Sequence, residues 1–489
     1  MNTPSHTSPP APRPFGVHQQ HLLRWGLILA LPLVIVAVAF IAPSRLAVML
    51  LAGLLGLTLA AILLRWPTAG LVLLIPAALL APIAIGTGSE SSINAPMLLL
   101  MLLTALWLFD MVALRRQIDI HLSRPLLALA ALAAVTVLAF LVGQLPWFPL
   151  ARPAPMRAQI GGVMIFVLSL AAFALAAHQI KTQRALQAMT GLFLGLGAIF
   201  AVGQMLPGLK RPMFTLFQFG STTSQFWTWM VALALGQALF NRRMHPAGRL
   251  ALAGLALATL YSSYVVIDGW KSGWTPALAA ALALVVLRYP YAILGLAAGA
   301  LAFGPTIVNG LLASDQYSAA TRSEAWALIG EIVKVNPLLG LGPANYYWYT
   351  PLLRISGYYG IQFNSHNQYV DLIAQIGLIG LAVFAWFIWE ISRFGWRLRQ
   401  RAPEGFALGY INGALAGLAG SLVAGMLGDW IFPFVYNVGF FGFRASLFTF
   451  LFLGGLVALA RILDGQPPAD APPAEPAEPA AALPLSPAS

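Results

Sequence analysis

A histidine, several arginines and a lysine in this chain are of the types that handle phosphate charge and a hydroxyl proton. His366 lies in "FNSHNQYVDLIAQIGLIGL", between a polar stretch and an apolar run, and no other histidine follows position 245. Ser365 and Gln368 have capping-box spacing, which predicts His366 in the first turn of the next helix. A helix start presents unpaired N–H groups and about half a positive charge, a setting for phosphate. The same field disfavours imidazolium, so His366 is expected to be neutral and able to accept a proton. Upstream, Thr321 and Glu324 repeat the capping-box spacing and predict Arg322 at a first helical position, with Asn336–Pro337 ending that helix. Arg322, Trp326, Ile329 and Val333 then share one side. Two helix starts, one with a guanidinium and one with a neutral imidazole, would make a site for a diphosphate and a base.

Each residue also has a plainer reading. A histidine at a membrane border can be an interfacial polar group, and a lone arginine can contact lipid headgroups. The "GLG" at 340–342 reads as a tight turn, because it has no third glycine and no preceding strand. Arg152 and Arg157 are further cations able to face an anion. Arg444, about two turns into the last apolar run, is a functional candidate by its position, with Asp371 or Asp429 as expected partner and either an ionic or a catalytic role. Tyr369 either lines the site or anchors the interface.

The elements that must position these residues follow from composition. Of 489 residues, 59% are hydrophobic and 9% charged, and mean hydropathy is +0.80. Apolar runs of roughly 20 residues recur along the chain, each long enough to cross a bilayer. The expected fold is all-α, a polytopic helical membrane protein with about 12–14 transmembrane helices and one long external loop containing short helices. The organisation reads as a cytoplasmic polar tail (1–24), a transmembrane bundle (25–308), the long external loop (309–365), further transmembrane helices (366–461) and a disordered Pro/Ala-rich cytoplasmic tail (462–489). The first apolar run reads as a retained anchor, not a cleaved signal. Basic residues are in excess in the loops assigned to the cytoplasm, so both termini are expected inside and the 309–365 loop outside. The net charge of +12 is distributed among those loops and does not indicate nucleic acid. With no cysteine there is no thiolate chemistry, and no Asp-x-Asp or clustered His/carboxylate motif points to a metal.

The order Arg322…Trp326, "NPLLGLGPANY" and "SHNQYVDLIAQIGLIGL" resembles the O-antigen ligase and polymerase superfamily of bacterial membrane glycosyltransferases. There an Arg-x3-Trp helix precedes an N-P-L-x-G-x-G turn, and a long external loop ends in an H-N-x-[YL] motif, here His366, Asn367 and Tyr369. "DGWKSGWTPALAAALALVVL" is similar to an earlier family segment, with Lys271 where an arginine is usual. In "FGSTTSQFWTWM" the family's asparagine is absent. The resemblance implies glycan transfer from an undecaprenyl-diphosphate carrier to a lipid-core or glycan hydroxyl, at the external face of the bacterial inner membrane, with membrane lipids as partners and no cofactor. It implies His366 and Arg322 as catalytic and Lys271 as a basic substrate contact. A polymerase of the same superfamily remains open, and a lipid-linked oligosaccharide exporter is the alternative of another class.

Overall fold

The computed structural model describes residues 44–86, 88, 92–267, 270–313 and 316–465. The expected tail at 1–24 and first span at 25–42 lie outside these residues, as does nearly all of the tail at 462–489. Helix α1 (Ser44–Arg65) belongs to a first unit ending at Trp66, and a second unit runs from Pro67.

Among its described residues, the second unit's regular elements are helices and one small hairpin, β1 (Ala84–Gly86) against β2 (Ser92–Asn94). Its helices are α2 (Pro67–Leu79), α3 (Ala95–Phe109), α4 (Arg124–Val142), α5 (Met156–Gln179), α6 (Gln183–Gly203), α7 (Lys210–Leu216), α8 (Ser224–Phe240), α9 (Pro246–Tyr261), α10 (Lys271–Arg288), α11 (Ala292–Ala313), α12 (Gln316–Val333), α13 (Tyr346–Tyr349), α14 (Gln368–Arg401), α15 (Phe406–Leu427) and α16 (Gly439–Asp464). Local signals set several starts. Asn94, Ser123 and Thr182 each accept a backbone N–H as N-cap, and proline occupies the first turn after Asn94 and Ser123.

Among the described residues, seven helices are long and apolar enough to cross a membrane. They are α4, α5, α6, α14, α15, α16 and the run from α3 through a π-helical turn to Leu114. The protein is therefore a polytopic all-α membrane protein. The predicted spans from 46–64 onward fall on helices, except that the one at 69–85 runs past the end of α2 at Leu79 into strand β1. At 13 and 17 residues, however, α2 and α8 are shorter than a straight crossing, while α9 continues through a π-helical turn to Val266.

The core lies between α16, buried along most of its length, and α5, with α8, α10 and α15 forming a second packed group. Small residues permit the closest approaches, as expected where helices associate by contact and not by expulsion of water. A Cβ added at Gly236 of α8 would stand 2.8 Å from the Gly413 Cα of α15.

Candidate active site

The site is built on a broken helix. At Gly377 (φ +71°) α14 leaves helical geometry, and the turn 336–342, "NPLLGLG", fills the break. Leu341 and Gly342 donate their N–H groups to Ala374 and Gln375 carbonyls, each at 3.0 Å. In return Leu378 and Ile379 donate to the Pro337 and Leu338 carbonyls at 2.9 and 3.1 Å. Backbone groups freed by the break are thus paired, a condition for irregular chain at membrane depth. A Cβ at Gly340 would lie 2.7 Å from Gly377 N, so this joint needs glycine. The N–H groups of Leu341 and Gly342 are used inside the fold, in accord with the tight-turn reading of "GLG".

The histidine precedes the helix instead of lying within it. Asn367 is the N-cap of α14, its Oδ1 accepting from Tyr369 and Val370 N–H at 2.9 and 3.3 Å. His366 therefore sits one residue outside, in left-handed conformation at φ +46°. This corrects the first-turn expectation: asparagine caps more strongly when its oxygen reaches N2 and N3, and Ser365 is engaged elsewhere. The Ser365 Oγ lies 2.8 Å from buried Asp371 Oδ1, and that oxygen also accepts from the Tyr346 hydroxyl at 2.5 Å. A non-glycine residue at positive φ costs of order 1–3 kcal/mol and persists only where its surroundings hold it. Here Asn364 Oδ1 accepts the His366 N–H at 3.2 Å.

Arg322 is brought to the histidine by its neighbour Trp326. Helix α12 runs from Gln316, so Arg322 lies in its interior, contrary to the predicted first position. One turn later the Trp326 indole donates to the Ser365 carbonyl at 2.7 Å. Residues four apart share a helix face, so this bond carries Arg322 to the His366 turn. The guanidinium charge reaches the imidazole, and crowding by protein atoms together with that charge lowers the His366 pKa, crowding being the larger effect. The expected neutral imidazole thus rests on desolvation and Arg322. Of the predicted stripe, Ile329 and Val333 are buried in one cluster with Leu341, Tyr346, Tyr349 and Phe434, whereas Trp326 is partly exposed.

A third segment, the connection between α15 and α16, closes the site. Gln368 clamps it: its Oε1 accepts from Ile431 and Phe432 N–H at 3.1 and 2.8 Å. Asn437 Nδ2 lies 3.4 Å from His366 Nδ1 and also donates to Asp429. Asp429, 1% exposed, accepts the Phe434 N–H at 2.5 Å on its other oxygen. Burial raises the Asp429 pKa to about 6 against the lowering effect of these donors.

Other predicted residues divide between this end of the bundle and structural duties. Lys271 opens α10, whose Ser272 donates to the Leu427 carbonyl at 3.2 Å, while Trp270 packs edge-on against Trp430. This brings the Lys271 segment to the connection carrying Asp429. Arg157 lies in the first turn of α5, beside Gly88 of the hairpin segment. Arg152 lies in the 143–155 connection, which Asn345 ties to the loop by accepting Ala154 N–H at 3.0 Å and donating to Gly143 O at 3.0 Å. The Tyr369 hydroxyl donates to Leu422 O at 2.7 Å and pins α14 to α15. Arg444 does not pair with Asp371 or Asp429. Its guanidinium donates to four carbonyls at the end of α2 and just beyond, including Ala78 at 2.9 Å and Ala81 at 2.7 Å. An unfinished helix C-terminus carries partial negative charge, so it receives the cation without a carboxylate.

Trp326 was placed on the stripe by periodicity, but its grip on Ser365 was not readable. Tyr346 and Asn437 were not singled out. Lone polar residues among aromatics carry no spacing signal, and their roles arise from contacts 8 to 71 positions away.

No curated protein matches the chain. Residues 244–385, which include Lys271, Arg322 and His366, match the family model described as O-antigen ligase. That match lies over the His366 turn, the Arg322 helix and the Lys271 segment, so this stretch of the chain is similar to the O-antigen ligase family.

Proposed function

We propose that this protein moves a glycan from an undecaprenyl-diphosphate carrier to an acceptor hydroxyl on a lipid core, at the external face of the bacterial inner membrane. The observation that carries the reading is the Trp326–Ser365 bond, which ties the helix of Arg322 to the residue before His366, 44 positions on from Arg322, with the Arg322 charge acting on the imidazole. In the reaction the acceptor oxygen attacks the anomeric carbon, and the bond from that carbon to the diphosphate oxygen breaks. The diphosphate leaves with the electron pair and the hydroxyl proton passes to His366. Arg322 stabilises charge on the leaving diphosphate, assisted by Lys271 and by Arg152 or Arg157. A donor already activated as a diphosphate needs no nucleotide at the site of transfer.

Purified lipid-linked glycan and candidate acceptors, supplied to the reconstituted protein, test the proposal. Expected are release of carrier diphosphate and a product containing the lipid core. Incorporation only into longer carrier-linked glycan would make the protein a polymerase. Carrier movement across the bilayer without bond exchange would make it an exporter.

A further inference from the structure

Asp429, Asn437 and His366 form a chain whose hydrogens are fixed by chemistry. Asp429 Oδ2 faces the Phe434 N–H at 2.5 Å, and Oδ1 faces Asn437 Nδ2. An ionised carboxylate only accepts, so Asn437 must direct an N–H to it. Asn437 Nδ2 also lies 3.4 Å from His366 Nδ1, so its second hydrogen serves that contact. Nδ1 then holds a lone pair, and the proton of the neutral ring sits on Nε2. A ring in that tautomer offers a donor at Nε2, not a base.

We propose that Asp429 acts through Asn437 as the tautomer switch of His366. The inference rests on His366 taking the acceptor proton, and it names the residues that arm it. A lone pair at Nε2 requires a hydrogen on Nδ1, hence an acceptor facing Nδ1. Asn437 supplies one by turning its amide, which places Oδ1 against both His366 and Asp429. Two facing oxygens are tolerated when Asp429 Oδ1 carries a proton and donates it to Asn437 Oδ1, while Oδ2 keeps the Phe434 N–H. The armed site therefore holds one proton more than the resting site, taken from water onto Asp429. During transfer the acceptor proton binds Nε2, and the resulting imidazolium returns a proton to water. Arg322 on α12 is the cation facing the imidazole; Asp371 on α14 and Tyr346 on α13 interact electrostatically with Asp429. The raised pKa of Asp429, about 6, keeps the protonated form accessible near neutrality.

Asp429→Asn tests the switch sharply. The Phe434 N–H demands an oxygen, so the new amide turns its NH2 to Asn437 and requires the turned Asn437 at every pH. For the wild type, kcat/KM is expected to fall about tenfold per pH unit well above the Asp429 pKa of about 6. Asp429→Asn should lose that alkaline fall and exceed the wild-type rate above about pH 8. A shared alkaline limb, or a folded Asp429→Asn protein inactive at all pH, overturns the proposal. Nitrogen-15 spectra of histidine-labelled protein read the ring without turnover, with His366 assigned by its loss in His366→Gln. The wild type should be Nε2–H at pH 8 and shift toward Nδ1–H as Asp429 protonates; Asp429→Asn should be Nδ1–H throughout. A wild-type ring that is Nδ1–H at pH 8 sinks the switch, whether or not the variant folds. Full turnover by His366→Ala would instead sink the base assignment and leave the tautomer result to stand separately.

Discussion

The two ends of the bundle use polar side chains for opposite purposes. At the end opposite His366, arginines finish helices. Arg399 donates to the Leu287 carbonyl at 2.9 Å and to Asn412 at 2.7 Å, and Arg461 donates to the Ala177 carbonyl at 3.0 Å. Arg401 pairs with Asp464 at 2.6 Å. These three arginines meet carbonyls, an amide or a carboxylate within the protein. At the His366 end, amides and hydroxyls hold the backbone: Gln368, Asn345, Asn367, Ser365 and Tyr346 bind loops to one another. Arg444 on carbonyls near α2, Arg354 on the Gly357 carbonyl at 2.7 Å and Lys334 on Glu331 at 2.6 Å are cations at this end that behave like those at the other. The lesson is that a cation's worth to chemistry depends on whether carbonyls have already claimed it.

The largest expected effect falls on that contrast directly. His366→Ala should lower kcat by roughly 10²–10⁴-fold, the usual worth of a positioned acid or base, whereas Arg399→Ala should leave kcat unchanged. Equal losses in the two variants would erase the distinction between ends. Arg322→Ala comes next. Losing a charge-assisted bond of about 1.5–3 kcal/mol should raise KM for the donor roughly 10–100-fold. It also has a pH signature. The Arg322 charge lowers the His366 pKa, so its removal raises that pKa. Neutral imidazole then persists over a smaller range, and the acid limb of the rate profile should move to higher pH. A weaker KM with an unmoved acid limb would separate Arg322 from His366.

Much of this was legible in the sequence, and the failures have a common cause. Apolar run length located the helices, because bilayer thickness imposes it whatever the partners. The Asn-Pro and Gly-x-Gly punctuation at 336–342 identified a turn, because backbone geometry alone demands it. Capping boxes misled twice. At Thr321 the helix had already begun, from Gln316, and at Ser365 the hydroxyl was drawn to Asp371, leaving Asn367 as cap. Short capping patterns describe what a segment can do alone, and tertiary partners chose otherwise. Arg444 shows the same limit: its place within the last apolar helix was legible, but backbone carbonyls of α2 do not announce themselves in side-chain chemistry. The switch chain to Asp429 crosses from α14 to the α15–α16 connection, so no local window contains it.

Gly377→Ala probes the joint that lets the His366 end exist. The position has φ +71°, and its Cβ would press on the Leu338–Leu339 backbone, 2.5 Å from Leu339 N. Strain of about 1–3 kcal/mol is expected from the backbone alone, read as a lowered thermal midpoint. Loss of activity should follow, because the displaced turn packs against the cluster holding α12. Unchanged stability would mean that α14 can heal into a continuous helix and that the break is not required.

The smallest effects lie at the opposite end, and their order sharpens what finishes a helix there. Arg401 and Asp464 are both about half exposed, with side chains 54% accessible, so their ion pair is screened by water. Asp464→Ala should change stability by about 0–1 kcal/mol. Arg399→Ala removes bonds to a partly buried carbonyl and amide, and part of the roughly 1.5–3 kcal/mol range for charged hydrogen bonds should be lost. Thermal unfolding of the two variants, with salt varied, checks the ranking. Only the Asp464→Ala difference should shrink with salt, because screening acts on an exposed pair and scarcely on a cation seated on a helix carbonyl. If Asp464→Ala proved the more damaging, exposed ion pairing would be what closes that end, and carbonyl binding by arginine would lose its assigned role there.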